Sequence, residues 1–272
     1  LHYPLRRQRQ MCIRDRGAGV EMTSNDQTEI SLVLNAMLKS WPGRGTQLHL
    51  RRRLYLFTNT ENREYSLDLT ATESDELTEV FYYTHTDSDT ANAATAVEVE
   101  SGTNISNSDR IGIMTDDGTM HWTTVSSGGG TADIVLTAGL DNASEANNTV
   151  YTYTTKASRP EKILDIRRRT APTTSNSGSA HNRLPGPDIP VELLSLTDYN
   201  DLAEKSTEGP IVQAFWDQDW ANTGSVVGQS KLYVWPEPDT NSGDDYLVLW
   251  IEEVGADLDN ATDDFYIPQK WY

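Results

Sequence analysis

The stretch from residue 73 to residue 155 consists of short apolar runs separated by turn residues. Asp116-Asp117-Gly118 is typical of a hairpin turn, and Gly128–Gly130 marks another break. Strands spaced by roughly 10–20 residues are typical of a small β-sandwich or barrel. We therefore predict an inserted antiparallel β module over residues 73–155. Its strand candidates are Val80–Thr84, Ala96–Glu100, Arg110–Met114, Met120–Val125, Ala132–Leu136 and Val150–Thr154.

The same stretch is strongly acidic. Fourteen Asp and Glu residues between positions 73 and 155 face one basic residue, Arg110, which gives this stretch a charge of −13. The whole chain of 272 residues carries −19. Such a charge repels phosphate backbones, which argues against general nucleic-acid binding. No run of about 18 apolar residues occurs, so we predict no membrane span.

A helix is predicted before the module. Residues 27–41 carry apolar side chains at helical spacing, and Pro42-Gly43 ends the pattern. A second helix is predicted from Thr197 to Glu204, with Thr197 or Asp198 as its cap. The apolar positions of the first helix are Ile30, Leu34, Met37, Leu38 and Trp41, with Ser24, Asn25 and Asp26 as N-cap candidates.

Strands are predicted on both sides of the module as well, and they complete an α+β fold. The expected architecture is an N-terminal helix and a mixed helix and strand core made of residues 17–72 and 156–272. The antiparallel β-sandwich or barrel-like module interrupts this core. The predicted strands of the core are Leu54–Phe57, Glu64–Leu69, Val191–Leu196, Val212–Trp216, Lys231–Trp235 and Tyr246–Glu252.

The first 16 residues do not resemble the start of a folded domain. They hold five arginines against one acid, Asp15, and lack the apolar region of a signal peptide. The string RQMCIRDR resembles a recurrent adapter read-through in translated environmental sequences, so we expect residues 1–16 to be non-native. The alternative is a basic arm that binds nucleic acid. Without them the charge becomes −23, because five positive charges and one negative charge leave. We also expect that a C-terminal helix is missing after the apolar segment Phe265–Tyr272.

No catalytic signature is present in the sequence. The five histidines show no HExxH or HxH spacing, which argues against a zinc or di-metal site, and a single cysteine, Cys12, excludes intramolecular disulfides. No GxSxG, P-loop or GxGxxG follows a predicted strand. The pairs Glu252/Glu253 and Asp263/Asp264 could serve glycoside hydrolysis in principle, but they are more typical of an acidic surface. We predict no enzymatic activity, no metal and no cofactor.

Two groups of basic residues flank the acidic module. They could neutralise acidic segments within the subunit or in a neighbouring subunit, or they could line a surface that faces DNA or an acidic partner ring. The seven tryptophans are interpreted as core residues, with sugar-binding platforms as the alternative. The basic residues are Lys39, Arg44, Arg51, Arg52 and Arg53 before the module, and Lys156, Arg159, Lys162, Arg167, Arg168 and Arg169 after it.

Several segments in the second half of the chain follow a known order. Ile189–Pro210 fits an I-S-x-x-E/D-Y-x-x-L/I-x-x-K-x-x-x-G-x-P type of run. It is followed by Leu232-Tyr-Val-Trp-Pro-Glu-Pro, by the strand Tyr246–Ile251, and by Phe265-Tyr-Ile-Pro-Gln-Lys-Trp-Tyr. Together with the opening helix and the segment from Arg159 to Arg169, this order resembles the podovirus head-to-tail adaptor, or tail accessory factor, family.

The resemblance implies a non-enzymatic phage virion protein. It would form a homo-oligomeric ring, twelve-fold by the resemblance, that docks under the portal ring and links it to downstream tail components. Its place would be the head-to-tail junction of the virion, after synthesis in the host bacterial cytoplasm. DNA would pass close to it without sequence-specific binding. The alternative is a β-rich carbohydrate- or surface-binding module of a phage tail or cell-surface protein.

The assembly surface is expected at two arginine triplets. Interfaces between proteins are enriched in arginine and aromatic residues. We therefore predict an assembly or portal interface at Arg51, Arg52, Arg53, Arg167, Arg168 and Arg169.

Overall fold

The computed structural model describes residues 24–40, 49–67, 75–171, 179–180, 187–218 and 230–254. The expectations for residues 1–16 and for Phe265–Tyr272 lie outside these ranges. The described part of the chain is mostly β, with little helix. The helices are α1 (Ser24–Ser40) and α2 (Leu196–Asn200). The strands are β1 (His49–Phe57), β2 (Glu64–Leu67), β3 (Leu77–Thr78), β4 (Tyr82–His85), β5 (Ala96–Glu98), β6 (Arg110–Met114), β7 (Met120–Ser127), β8 (Asp133–Leu136), β9 (Thr149–Tyr153), β10 (Lys162–Arg169), β11 (Ser179–Ala180), β12 (Ile189–Leu193), β13 (Gln213–Asp217), β14 (Ser230–Trp235) and β15 (Tyr246–Val254).

The helix predicted before the module is present as α1, but the predicted helical N-terminal core is not supported. The chain divides into two compact units, residues 1–50 with 254–272, and Arg51–Glu253. Helix α1 belongs to the first unit, and it exposes several apolar side chains, with Leu32 at 71% and Val33 at 67% exposure. The second unit is built from sheets, because the flanking segments follow the two-residue alternation of strands instead of helical spacing.

Eight strands form the first sheet, in the order β2-β14-β13-β12-β10-β15-β1-β3. The sheet curls toward a barrel, since all eight strands contribute side chains to one buried cluster that includes Leu54, Leu56, Ile166 and Leu249. Its two ends meet where the amide of Asp75, just before β3, donates to the carbonyl of Ser66 in β2 at 2.9 Å. This cluster is called the first core below.

The second sheet has the order β11-β4-β9-β6-β7-β8-β5. It also curls, because an isolated bridge between Thr86 and Val99 connects the end of β4 to the end of β5. The carbonyl of His85 accepts the amide of Glu100 at 2.9 Å beside this bridge. Inside lies the second core, an aliphatic cluster formed by Val97, Val99, Ile105, Ile111, Ile113, Val125, Ile134, Leu136, Leu140 and Val150.

A layer of aromatic side chains joins the two sheets. The side chains of Tyr55 and Phe57 project from the outer face of β1. They pack against residues such as Phe81, which lies directly before β4 of the second sheet. The ring of Phe57 lies 4.8 Å from Tyr151 and 5.0 Å from Trp122. This aromatic layer comprises Tyr55, Phe57, Phe81, Tyr83, Met120, Tyr151, Tyr153, Tyr246 and Val248, with Trp122 against it.

The hairpin between β6 and β7 fixes the second sheet to the first. Its turn holds Asp116-Asp117-Gly118, as predicted from the sequence, and Gly118 has a φ of 83°. The hydroxyl of Thr60 donates to the carbonyl of Gly118, and the side-chain oxygen of Asn59 accepts the amide of Met120 at 2.9 Å. A Cβ at Gly118 would lie 2.8 Å from the backbone of Thr240. Glycine is required here by its conformation and by this close approach.

Helix α2 is shorter than predicted and begins earlier. Its cap is Ser195, whose hydroxyl accepts the amide of Asp198 at 3.3 Å, while the Asp198 carboxylate accepts the amide of Ser195. This reciprocal capping box explains why neither Thr197 nor Asp198 is the cap. The buried ring of Tyr199 stacks on Phe215 of β13 at 5.1 Å, which fixes the helix to the first sheet.

Candidate functional site

The sheet order brings the two arginine triplets together. Arg51, Arg52 and Arg53 lie on β1, Arg167, Arg168 and Arg169 lie on β10, and β15 runs between these two strands. In the antiparallel register of β10 and β15, Arg167 lies opposite Val248 and Arg169 opposite Tyr246. About a hundred residues separate the triplets along the chain, so the convergence is a product of the fold.

Strand alternation divides the six arginines between two faces. Arg51 and Arg53 share the outer face of β1 with Tyr55, whereas Arg52 shares the inner face with Leu54 and Leu56. On β10, Arg167 and Arg169 lie on the outer face, and Arg168 lies on the inner face with Ile166. Four of the six predicted residues therefore share one outer surface.

Trp250 lies at the centre of this surface. Its side chain on β15 is 40% exposed, and the guanidinium carbon of Arg53 lies 5.2 Å above its ring centre. A cation over an indole face is attracted by the ring quadrupole, typically by 0.5–1 kcal/mol or so at exposed sites. This contact holds the Arg53 side chain along the outer surface.

Glu252 organises two further cations. Its side chain is 10% exposed, and its carboxylate lies 3.5 Å from Arg51 and 3.7 Å from the amine of Lys162. Both cations remain about two-thirds exposed, at 66% and 64%. One nearly buried carboxylate therefore anchors two side chains whose charges still face outward.

The other end of the surface is neutralised within the chain. Arg167 pairs with Asp165 at 2.7 Å, and Arg169 pairs with Asp188 through two contacts, one of them at 3.2 Å. The hydrogen bond from Arg169 lowers the pKa of Asp188. We call the part of the outer surface of β10, β15 and β1 that the aromatic layer does not cover the Trp250 face. Its charged members are five cations and three carboxylates, Arg51, Arg53, Lys162, Arg167, Arg169, Asp165, Asp188 and Glu252.

Arg168 and Arg52, the other two predicted arginines, lie on the inner face of the sheet. Arg168 is buried, and its guanidinium lies 3.0 Å from the carboxylate of Asp245. Burial raises the pKa of Asp245 to about 7, although Arg168 opposes the shift. Arg52 pairs with Glu79 at 2.6 Å. Arg168 therefore supports the sheet from within and is not part of the Trp250 face.

Sequence reasoning missed the central role of Trp250. Residues 246–251 are apolar on both sides of the strand, since Leu247, Leu249 and Ile251 enter the first core while Tyr246 and Val248 enter the aromatic layer. An alternation pattern identifies an exposed position only when one face is polar. Of the other tryptophans, Trp122, Trp216 and Trp235 are partly buried, and Trp41, Trp220 and Trp271 lie outside the described residues.

A cleft of about 370 Å³ lies where the chain crosses between the two sheets, beside Thr78–Val80 and Thr154–Ala157. Its charged groups take part in ion pairs, since Glu79 contacts Arg52 and Lys156 lies 3.4 Å from Glu76. Among the described residues, no group of three or more His, Cys, Asp or Glu side chains is placed to hold a metal ion. Asp263 and Asp264 of the acid pairs lie outside the described ranges.

No helix in the described part of the chain is long and apolar enough to cross a membrane. Comparison with family models, with curated proteins and with solved structures found no match.

Proposed function

We propose that the protein is a structural protein of a phage virion, a head-to-tail adaptor that assembles as a ring under the portal and links it to the tail. The observation that supports this proposal most is the Trp250 face. Tryptophan and arginine are the residue types that contribute most to binding in protein interfaces. Here they lie together on the outer surface of a rigid sheet, which is the arrangement that a docking surface requires.

The acidic charge fits the same proposal. An acidic channel wall would let DNA pass without holding it, whereas a basic wall would retain it. We propose that the portal ring, other copies of this chain and downstream tail components are the partners, and that the protein acts at the head-to-tail junction without catalysis. The charge distribution on an assembled ring tests whether the channel wall is acidic. A basic channel would contradict the proposed passage of DNA.

The decisive experiment mixes the full chain with a podovirus portal ring and images the product by negative-stain electron microscopy. We expect extra density under the portal for the wild-type chain. Trp250→Ala should remove this density, because the loss of a central interface tryptophan typically costs about 2 kcal/mol or more of binding free energy. Trp235→Ala, a partly buried tryptophan away from the Trp250 face, is the control. A wild-type chain that stays monomeric and ignores the portal would contradict the proposal.

The alternative, a carbohydrate- or surface-binding module, is favoured by one observation, the exposed indole of Trp250. Sugar rings stack on such indoles, but the face of this ring carries the guanidinium of Arg53. Glycan-array binding by the monomer, lost in Trp250→Ala and retained in Trp235→Ala, would support the alternative.

A further inference from the structure

The second sheet carries a charged surface opposite in sign to the Trp250 face. Glu98 on β5 lies directly opposite Asp133 on β8, and both are exposed because Val97 and Ile134 point into the second core. The exposed Asp87 lies beside Glu98, since its amide donates to the Glu98 carbonyl at 2.9 Å. We call Asp87, Glu98 and Asp133 the acidic ridge.

The acidic ridge is destabilising for an isolated chain. Directly opposed side chains on antiparallel strands lie about 5 Å apart, and like charges in such pairs repel. Among the described residues, none of the three carboxylates is paired with a cation. The single basic residue of the module, Arg110, is bound to Glu76. A cation that pairs with the acidic ridge would therefore come from outside the module.

The two surfaces also match in their apolar parts. Val135 is 37% exposed on the same outer face of β8 as Asp133, and Trp250 is 40% exposed among the cations of its own face. Each surface thus combines one exposed apolar side chain with charges of one predominant sign. They lie on different sheets of one chain, and no ion pair joins them within the described ranges.

We infer that the Trp250 face of one copy binds the acidic ridge of a second copy. This contact uses two different surfaces, so it is head-to-tail, and repetition produces a ring when the rotation closes and a filament when it does not. The inference rests on the proposed function for the ring and names the surfaces that hold it together. Charge complementarity selects a second copy, since every copy brings one surface of each kind.

Two double variants of the full chain test the contact. Arg53→Glu with Lys162→Glu removes the Trp250 face, and Glu98→Lys with Asp133→Lys removes the acidic ridge. In sedimentation velocity at low salt, we expect the wild type to form oligomers and each variant alone to associate at least tenfold more weakly. A mixture of the two variants should associate again, because the intact face binds the intact ridge and the two reversed surfaces also carry opposite charges.

The control reverses two exposed acids outside the module, Glu61→Lys with Glu208→Lys, and it should assemble like the wild type. Circular dichroism and thermal melting verify that every variant is folded. A ridge variant that still assembles, or a mixture that stays monomeric, overturns the inference. So does a wild type that binds a short DNA duplex through the Trp250 face without associating.

Portal binding by the same variants separates the inference from the proposed function. A wild-type chain that stays monomeric but binds the portal overturns the inference and leaves the proposed function intact. A chain that associates through the two surfaces without binding the portal overturns the proposed function and leaves the contact between copies intact.

Discussion

Asp245 makes the stability of the protein depend on pH. Burial raises its pKa in the folded state to about 7, compared with 3.8 for an ordinary aspartate. The folded protein therefore holds a proton that the unfolded chain releases as the pH rises above about 4, so stability from this group is lost between about pH 4 and pH 7. At 1.36 kcal/mol per pKa unit the loss is at most about 4 kcal/mol.

Asp245→Asn should flatten this pH dependence. We expect the free energy of unfolding of the wild type to fall more steeply than that of the variant between pH 4.5 and 7, as measured by chemical denaturation. Part of the slope should remain, because burial raises the pKa of Asp244 as well. The exposed Asp217→Asn is the control. Parallel curves for the wild type and Asp245→Asn would contradict the assignment.

Gly118 can be tested against a second glycine of similar conformation. Gly118 and Gly130 have φ values of 83° and 85°, but a Cβ at Gly130 would meet nothing within 4 Å. Gly130→Ala should cost about 1–2 kcal/mol of stability from backbone strain alone. Gly118→Ala should cost about 1–3 kcal/mol more, because its Cβ meets the backbone of Thr240. Equal losses in denaturant melts would show that the hairpin tip is not closely packed.

At the scale of elements, β1 serves both sheets, because its alternate residues enter the first core and the aromatic layer. Phe57→Ala should lower the free energy of unfolding by about 3–5 kcal/mol, the usual range for a buried phenylalanine. It should also change the fluorescence of the neighbouring Trp122. Leu193→Ala, which truncates an exposed side chain, should cost less than about 1 kcal/mol. A change of similar size in both variants would contradict the role of the aromatic layer.

The elements also show how far sequence patterns reach. Strand β6 was predicted at its observed bounds, and β7 and β14 within two residues, because alternation and turn chemistry are local signals. The sequence could not predict that β10, β15 and β1 lie side by side, since sheet order depends on contacts between distant segments. The Trp250 face depends on that order, so the sequence could predict its arginines but not their convergence.

At the scale of the whole molecule, the aromatic layer belongs to both sheets. A fragment of residues 80–155 would expose Tyr83, Trp122, Tyr151 and Tyr153 to water. We expect this fragment to bind the dye ANS strongly and to aggregate, because large exposed apolar patches promote association. The full chain at the same concentration is the control. A soluble fragment with a sharp melting transition would show that the second sheet folds independently.

The shared layer limits how this protein can change by recombination. Recombination between genes can cut the chain where it crosses between the sheets, near Thr78 and Thr155, and replace everything between. A replacement module would need aromatic rings that pack against Tyr55, Phe57 and Tyr246. Without them, these side chains of the first sheet would be exposed to water. Descendants should therefore inherit the two sheets as a pair, and outer loops should diverge faster than the layer between them.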